Sequence, residues 1–302
     1  LMAVALATAR RAGVRYPALA AAAVVVCPYT LQVLFVGSLD ALSLLGLFAA
    51  VTALRRAAPL GFGASLVLAA IRPQNLLLTG PVLVVLAWRA WGPRRLLRAG
   101  AVPLLVLAAC VPLFGADWPL RWWEAWRAYP PIPYLVTSTY AATNLAGIPT
   151  LAVAAGMALL AGWVLWRAWQ AGERPAAWDG LVALTVAANA ALSPYLLSQS
   201  YSVVLALGWT WLLGRRPGRA VALYLLSLPM LLRAGGLWDR VGLIDVCFPL
   251  LLTVLLFKDV ARHPERDAVH GGGQSDQRKD VHPEHPVVGV PLAGNERQRE
   301  QQ

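Results

Sequence analysis

Apolar runs of roughly membrane length, separated by short turns that carry arginine, recur from residue 16 to residue 257. A helix crossing the hydrocarbon layer needs about 20 mainly apolar residues, fewer if flanking side chains reach back to the interface. By that ruler the chain holds ten candidate spans, at about 16–36, 39–54, 58–72, 75–90, 98–114, 146–167, 178–197, 200–213, 219–233 and 241–257. The predicted fold class is all-α: a polytopic transmembrane helix bundle with an outward amphipathic loop helix and a disordered polar tail. The third and fourth runs admit a second arrangement, a re-entrant pair, which requires the polar turn between them to be buried in protein or to line a wet cavity.

Arginine sets the expected orientation. With Arg10, Arg11 and Arg15 cytoplasmic and every run crossing, 14 arginines fall inside against 5 outside (Arg72, Arg121, Arg127, Arg233 and Arg240). This obeys the positive-inside rule at every cytoplasmic turn and places both the N-terminus and the tail on the cytoplasmic side of the membrane. The opening LMAVALAT is too short to span and has no charged first region, so it reads as the end of a helix whose start precedes Leu1.

Composition divides the chain at Phe257. Hydrophobic residues make up 58% and charged residues 14% of the whole, yet all four histidines and both lysines lie beyond residue 257. Residues 1–257 are expected to form the membrane domain. Residues 258–302, with GGGQSDQRKD and balanced charge, bury too little surface to fold alone and are expected to be a disordered tail. The net charge of +11 does not indicate nucleic acid: the 19 basic residues before 258 are all arginine and cluster between apolar runs, not along one face. The three cysteines stand alone in apolar segments and the histidines lack ligand spacing, so neither a metal site nor a cofactor is predicted.

Polar residues that interrupt the apolar runs on the outward side are the candidates for chemistry. In AAIRPQNLLLTGP, Arg72 would cost about 2.5–3.5 kcal/mol at mid-membrane unless it reaches the interface or pairs with an anion. Pro73 breaks the segment there, so that Gln74 and Asn75 are expected to begin the next helix at the positive end of its dipole. The result is either a cradle for a lipid-linked phosphate or a capped loop with a snorkelling arginine.

The loop ADWPLRWWEAWRAYPPIPYLVTSTYAATN puts Trp118, Trp122 and Trp126 on one stripe of a predicted surface helix, with Arg121 and Glu124 turned elsewhere. Its aromatic faces would form an interfacial belt or stack on sugar rings or a polyprenyl chain. Asp40, after Ser38, reads as a carboxylate complementing a helix start, with Ser38 as the cap. In SPYLLSQSYS, Ser193, Tyr195, Gln199 and Tyr201 crowd a short turn, as helix caps or as a rim for carbohydrate.

Three segments resemble a known family. PYTLQVLFVGSLDALSLLGLF (28–48), AAIRPQNLLLTGPVLVVLAWRAW (69–91) and LSPYLLSQSYSVVLAL (192–207) are similar, in order and spacing, to conserved segments of the polytopic bacterial glycosyltransferases of family 87 in the GT-C superfamily. The segments in question are the glycine-glutamine, lysine/arginine-proline-glutamine and serine-proline segments. The resemblance covers about residues 16–257 and implies sugar transfer from a polyprenyl-phosphate donor to a lipid or glycan acceptor at the outer face of the bacterial cytoplasmic membrane. It implies Arg72 and Gln74 near the donor phosphate. It also implies a catalytic aspartate in the first outward loop, which would lie before Leu1, leaving Asp40 and Glu124 as weak substitutes. The chain departs from the family where Ser38 replaces glutamine and where Ser198, Gln199, Ser200 and Tyr201 stand in place of a histidine. A transporter or flippase for an anionic substrate would use a similar proline-broken pair, although no second copy of the RPQN segment appears in residues 145–257. A non-catalytic membrane scaffold is the third reading.

Overall fold

A computed structural model of the chain describes residues 1–128, 147–192, 200–228 and 238–262, all within the compact unit Leu1–Pro264. Every regular element among the described residues is helical: α1 (Met2–Arg11), α2 (Pro17–Val26), α3 (Pro28–Val36), α4 (Asp40–Arg55), α5 (Pro59–Ala69), a 3-10 turn (Pro73–Leu76), α6 (Thr79–Trp91), α7 (Pro93–Phe114) and α8 (Trp118–Ala128). The order continues with α9 (Thr150–Ala171), α10 (Pro175–Leu192), α11 (Tyr201–Val204), a π turn (Leu205–Trp209), α12 (Thr210–Arg215), α13 (Pro217–Ser227) and α14 (Trp238–Arg262).

Proline sets most of the boundaries. α2, α3, α5, α7, α10 and α13 each begin on one. The missing N–H costs nothing in the first turn, where it would have no partner, and the ring fixes φ near the helical value. Pro28 has a larger effect: the run expected to be one helix over 16–36 is broken at Cys27 and bent by 61°.

Three helices are long and apolar enough to cross a membrane, α7, α9 and α10, and the bent α2–α3 pair passes the same test as one span. Their surroundings differ. Only 6% of the most apolar 18-residue stretch of α7 and 11% of that of α9 is buried against protein, so their apolar faces are suited to lipid, whereas 72% of α10 is buried inside the bundle. α5 has 11 residues and α6 has 13, both short of the ~20 needed to cross unaided. α5 packs closely on α4 because Gly46 has no side chain; a Cβ there would overlap the backbone of Ala69, at the end of α5.

The helices collect their charged turns at one end of the bundle. Arg55 pairs with Asp179 at 2.9 Å, Arg89 with Glu173 at 3.0 Å and Arg216 with Asp259 at 3.4 Å, while Arg11 donates to Thr52 and Arg167 to the carbonyl of Val260. These contacts join the turns after α1, α4, α6, α9 and α12 to the end of α14, the same turns that the positive-inside count groups together. α14 runs to Arg262, five residues past the expected boundary at Phe257; residues 263–302 of the expected tail lie outside the described residues.

Candidate functional site

The opposite end carries a buried polar cluster built around Asp40. Asp40 is the first residue of α4 and is fully buried. Its Oδ2 accepts a hydrogen bond from Ser38 Oγ and lies 3.6 Å from Arg72 Nη2, and its Oδ1 accepts from Ser200 Oγ at 2.9 Å. Arg72 Nη2 also donates to Ser38 Oγ at 2.6 Å. Residues 38, 40, 72 and 200 thus converge from three separate stretches of chain on one ion pair. A buried carboxylate persists as a charge only when it is paired and hydrogen-bonded, and here both oxygens are engaged.

This placement revises the local reading of Asp40 and Ser38. Leu39, not Ser38, occupies the position before α4, and no side chain caps that helix. The Ser38 hydroxyl instead bridges Arg72 and Asp40.

The RPQN turn is held as firmly. Residues preceding proline avoid the helical region, and Arg72 accordingly takes φ −121° and ψ 83°, which stops α5 and turns the chain. Asn75 is buried and its Nδ2 donates to Ser43 Oγ at 3.1 Å; Ser43 Oγ in turn donates to the carbonyl of Ala69 at 3.0 Å. From α10, Asn189 closes the other side: its Nδ2 donates to the Asn75 carbonyl at 2.7 Å and to Thr79 Oγ1 at 3.0 Å, and its Oδ1 accepts from the Leu78 N–H at 2.8 Å. The amide side of the turn is therefore held in protein, with Asn75 and Thr79 buried, while Pro73 and Leu77 on its other side are exposed; the condition for a re-entrant pair is met on one side only.

Gln74 and Asn75 do not start α6, as the sequence reading expected. They lie in a 3-10 turn, and α6 begins at Thr79. The delay arises because Asn189 binds the Leu78 N–H and the Asn75 carbonyl together, clamping an irregular turn in place of a helical one. Part of the positive end of α6 is thus already occupied by a protein acceptor.

The remaining candidates fall in different places. Gln74 is part-exposed, with no side-chain hydrogen bond among the described residues. Tyr201 is buried, edge-on to Tyr29 with ring centroids 5.0 Å apart and beside Phe248, so it packs inside the bundle and does not form a rim. Ser193, Tyr195 and Gln199 lie outside the described residues.

A helix, α8, forms in the segment expected to carry the surface helix. Trp122 and Glu124 on it are exposed, and the side chain of Trp126 lies outside the described residues. Arg121 is engaged locally, donating to Asp117 Oδ1 at 2.5 Å and to the Phe114 carbonyl at 2.8 Å. Arg121 holds the Asp117 carboxyl below its ordinary range.

The sequence alone does not single out Asn189, Ser43 or Thr79, and it marks Ser200 only as one of the residues standing where the resembled family has a histidine. For Asn189 a signal existed: it is an amide inside the apolar run TVAANAAL, where an unpaired amide is costly, so a buried partner was implied. Two other buried hydroxyls, Thr30 on α3 and Ser202 on α11, have no hydrogen-bond partner among the described residues. They adjoin Tyr29 and Tyr201 in the chain, and unsatisfied groups of this kind are uncommon in native interiors. Among the described residues no group of three or more His, Cys, Asp or Glu is placed to hold a metal.

No family model matches the chain, and no curated protein or solved structure matches it either.

Proposed function

We propose that the chain is the membrane domain of a GT-C-type glycosyltransferase that moves a hexose or pentose from a polyprenyl-phosphate donor to a lipid or cell-envelope glycan acceptor. The donor phosphate would bind at Arg72. The observation that carries this reading is the state of the Arg72 guanidinium. Only Nη2 contacts protein among the described residues; Nε and Nη1 have no partner there, and the side chain keeps 24% of its surface exposed. A guanidinium offers five N–H donors in a planar fork matched to phosphate oxygens. Asp40 and Ser38 hold one corner of that fork and leave the other edge open.

In the reaction, an acceptor hydroxyl attacks the anomeric carbon, the carbon–oxygen bond to the phosphate breaks, and charge grows on the departing polyprenyl phosphate. Arg72 stabilises that charge. Asp40 acts as a positioning residue: with Ser38 and Arg72 on one oxygen and Ser200 on the other, it orients the guanidinium and is poorly placed to take a proton. Of the two weak candidates for the base, Asp40 is thus committed elsewhere and Glu124 sits exposed on α8. The proton acceptor is assigned to none of the described residues.

The test is sugar transfer in membranes containing the complete gene product. Arg72→Ala is expected to lower the rate by at least about 10²-fold, the scale of losing one preorganised charge stabiliser. Unchanged transfer would remove the site.

One observation favours a second reading. The broken α2–α3 pair and the clamped turn between α5 and α6 are discontinuous helices of the kind that bind ions and substrates in transporters. Substrate flux in reconstituted vesicles without glycosyl transfer would decide for it. A non-catalytic scaffold would show neither activity.

A further inference from the structure

A separate feature lies at the arginine-rich end. The turn between α1 and α2, the exposed side of α2, and the facing surfaces of α12 and α13 enclose an open cleft of about 530 Å³, within the range of small-molecule sites. Its walls include Leu19, Ala23, Trp209, Leu213, Val221 and Tyr224. Of the wall residues with polar tips, two have turned them inward: Tyr224 donates to the Ala23 carbonyl at 2.8 Å and the Trp209 indole to the Ala220 carbonyl at 2.7 Å. The cleft therefore presents apolar surface.

Arg15 lines the same cleft, with its guanidinium 5.2 Å from the ring centroid of Tyr16. The carboxylates described at this end are engaged elsewhere, Asp179 by Arg55, Glu173 by Arg89 and Asp259 by Arg216. Among the described residues no carboxylate pairs with Arg15. Tyr16, Leu19 and Val221 at the margin are all exposed large side chains, so the cleft opens on a surface suited to hydrocarbon.

We propose that this cleft binds one anionic phospholipid of the surrounding leaflet, an acyl chain lying against Leu19, Leu213 and Val221 and the headgroup phosphate on Arg15. The charge argues for the occupant. An apolar peptide segment or a neutral lipid would fill the cleft and leave Arg15 unneutralised, whereas a phosphodiester lipid matches both halves. An aromatic ring beneath the guanidinium orients it at the interface, where basic side chains meet anionic headgroups. The cleft is distinct from the Asp40–Arg72 cluster, and its occupancy does not depend on the function proposed above.

The experiment is photo-crosslinking of the full chain in nanodiscs, using phosphatidylglycerol or phosphatidylcholine that carries a photoreactive group on one acyl chain, with labelled peptides mapped. Phosphatidylglycerol is expected to label peptides containing Leu19, Leu213 or Val221 about fivefold more than phosphatidylcholine, the factor that one interfacial arginine corresponds to. Arg15→Gln is expected to remove that preference, and Ala23→Phe, which fills the cleft, to remove labelling by both lipids. Should Ala23→Phe fail to fold, Arg15→Gln still decides, since it changes an interfacial charge and no packing. Equal labelling by the two lipids, or an undiminished preference in Arg15→Gln, overturns the proposal. So does labelling that misses the peptides containing Leu19, Leu213 and Val221 with both lipids, as it would if residues 263–302 or a second copy filled the cleft.

Discussion

The two ends of the bundle use the same chemical pair, arginine with a carboxylate, in opposite ways. At the arginine-rich end three pairs are described and each keeps contact with water: Arg55 and Asp179 keep 30% and 20% of their side-chain surfaces exposed, the Glu173 partner of Arg89 keeps 72%, and Arg216 keeps 40% although its partner Asp259 is buried. At the other end one such pair is described within the bundle, and its carboxylate is wholly buried. The difference separates charges that report position from charges that hold a shape. An exposed arginine at a turn biases the turn toward one side of the membrane whether or not it meets a partner. Asp40 has no such independence: without Arg72, Ser38 and Ser200 it would be an unpaired charge in a low-dielectric interior.

The largest expected effect follows from that contrast. Arg72→Met leaves Asp40 buried and unpaired and is expected to lower stability by about 3–5 kcal/mol, whereas Arg55→Met is expected to cost at most about 1 kcal/mol. Reversible unfolding of the purified chain in mixed micelles measures both. Similar losses for the two variants would break the distinction between the ends, and a small loss for Arg72→Met would mean that water reaches Asp40.

A smaller effect tests whether the buried end is one connected network. Asn189→Leu leaves the Leu78 N–H, the Asn75 carbonyl and the Thr79 hydroxyl without their partner. A loss of about 1–3 kcal/mol is expected, as for leaving buried groups unsatisfied. Backbone hydrogen exchange should accelerate at Leu78. Asn189→Asp sharpens the point, because a carboxylate still accepts from the Leu78 N–H but donates to neither oxygen. Protection at Leu78 should survive while stability falls. If exchange at Leu78 is unchanged in Asn189→Leu, the turn is held by Ser43 and Asn75 alone.

How much of this was legible in the sequence follows the same division. The arginine-rich end was readable because it is written in charge and local order: each cluster sits beside its turn, and the contacts joining Arg11, Arg55, Arg89, Arg167 and Arg216 to other turns confirm that these belong together. The presence of α8 was readable from its tryptophan spacing for the same reason. The buried end was only half readable. Arg72 and the break at Pro73 announced themselves, but the partners that define the site come from residues 38, 40, 189 and 200, and no local pattern encodes which helices meet. Asp40 reads as a helix-start charge in the sequence because burial cannot be read from one residue. The bend at Pro28 is different: the proline was visible, but an uninterrupted apolar run concealed its effect. Of the proposed activity nothing beyond the resemblance was legible, since chemistry depends on what docks at the open edge of Arg72.

The smallest effect separates burial from pairing within one chemical type. Asp117 and Arg121 form a shorter ion pair than Arg55–Asp179, Arg89–Glu173, Arg216–Asp259 or Arg72–Asp40, yet both side chains are about 60% exposed. Arg121 donates to the Asp117 carboxyl and depresses its pKa below the ordinary carboxylate value near 3.9. The sign is that of a depressed acid: the pair's contribution is complete above the unfolded-state pKa and is lost as pH falls through the lower, folded-state pKa. A carboxyl-carbon NMR titration should place the Asp117 midpoint below that of an unpaired aspartate, and Arg121→Gln should return it to the ordinary value. Acidification to pH 3 should leave global unfolding of the Arg121→Gln variant equal to that of the parent chain, because the exposed pair is screened by solvent in the parent and absent from the variant. A midpoint unmoved by Arg121→Gln would show that the short contact does not persist in solution. A measurable difference in unfolding would show that α8 is anchored to the bundle, so that pairing at this loop stabilises the fold as it does at Asp40.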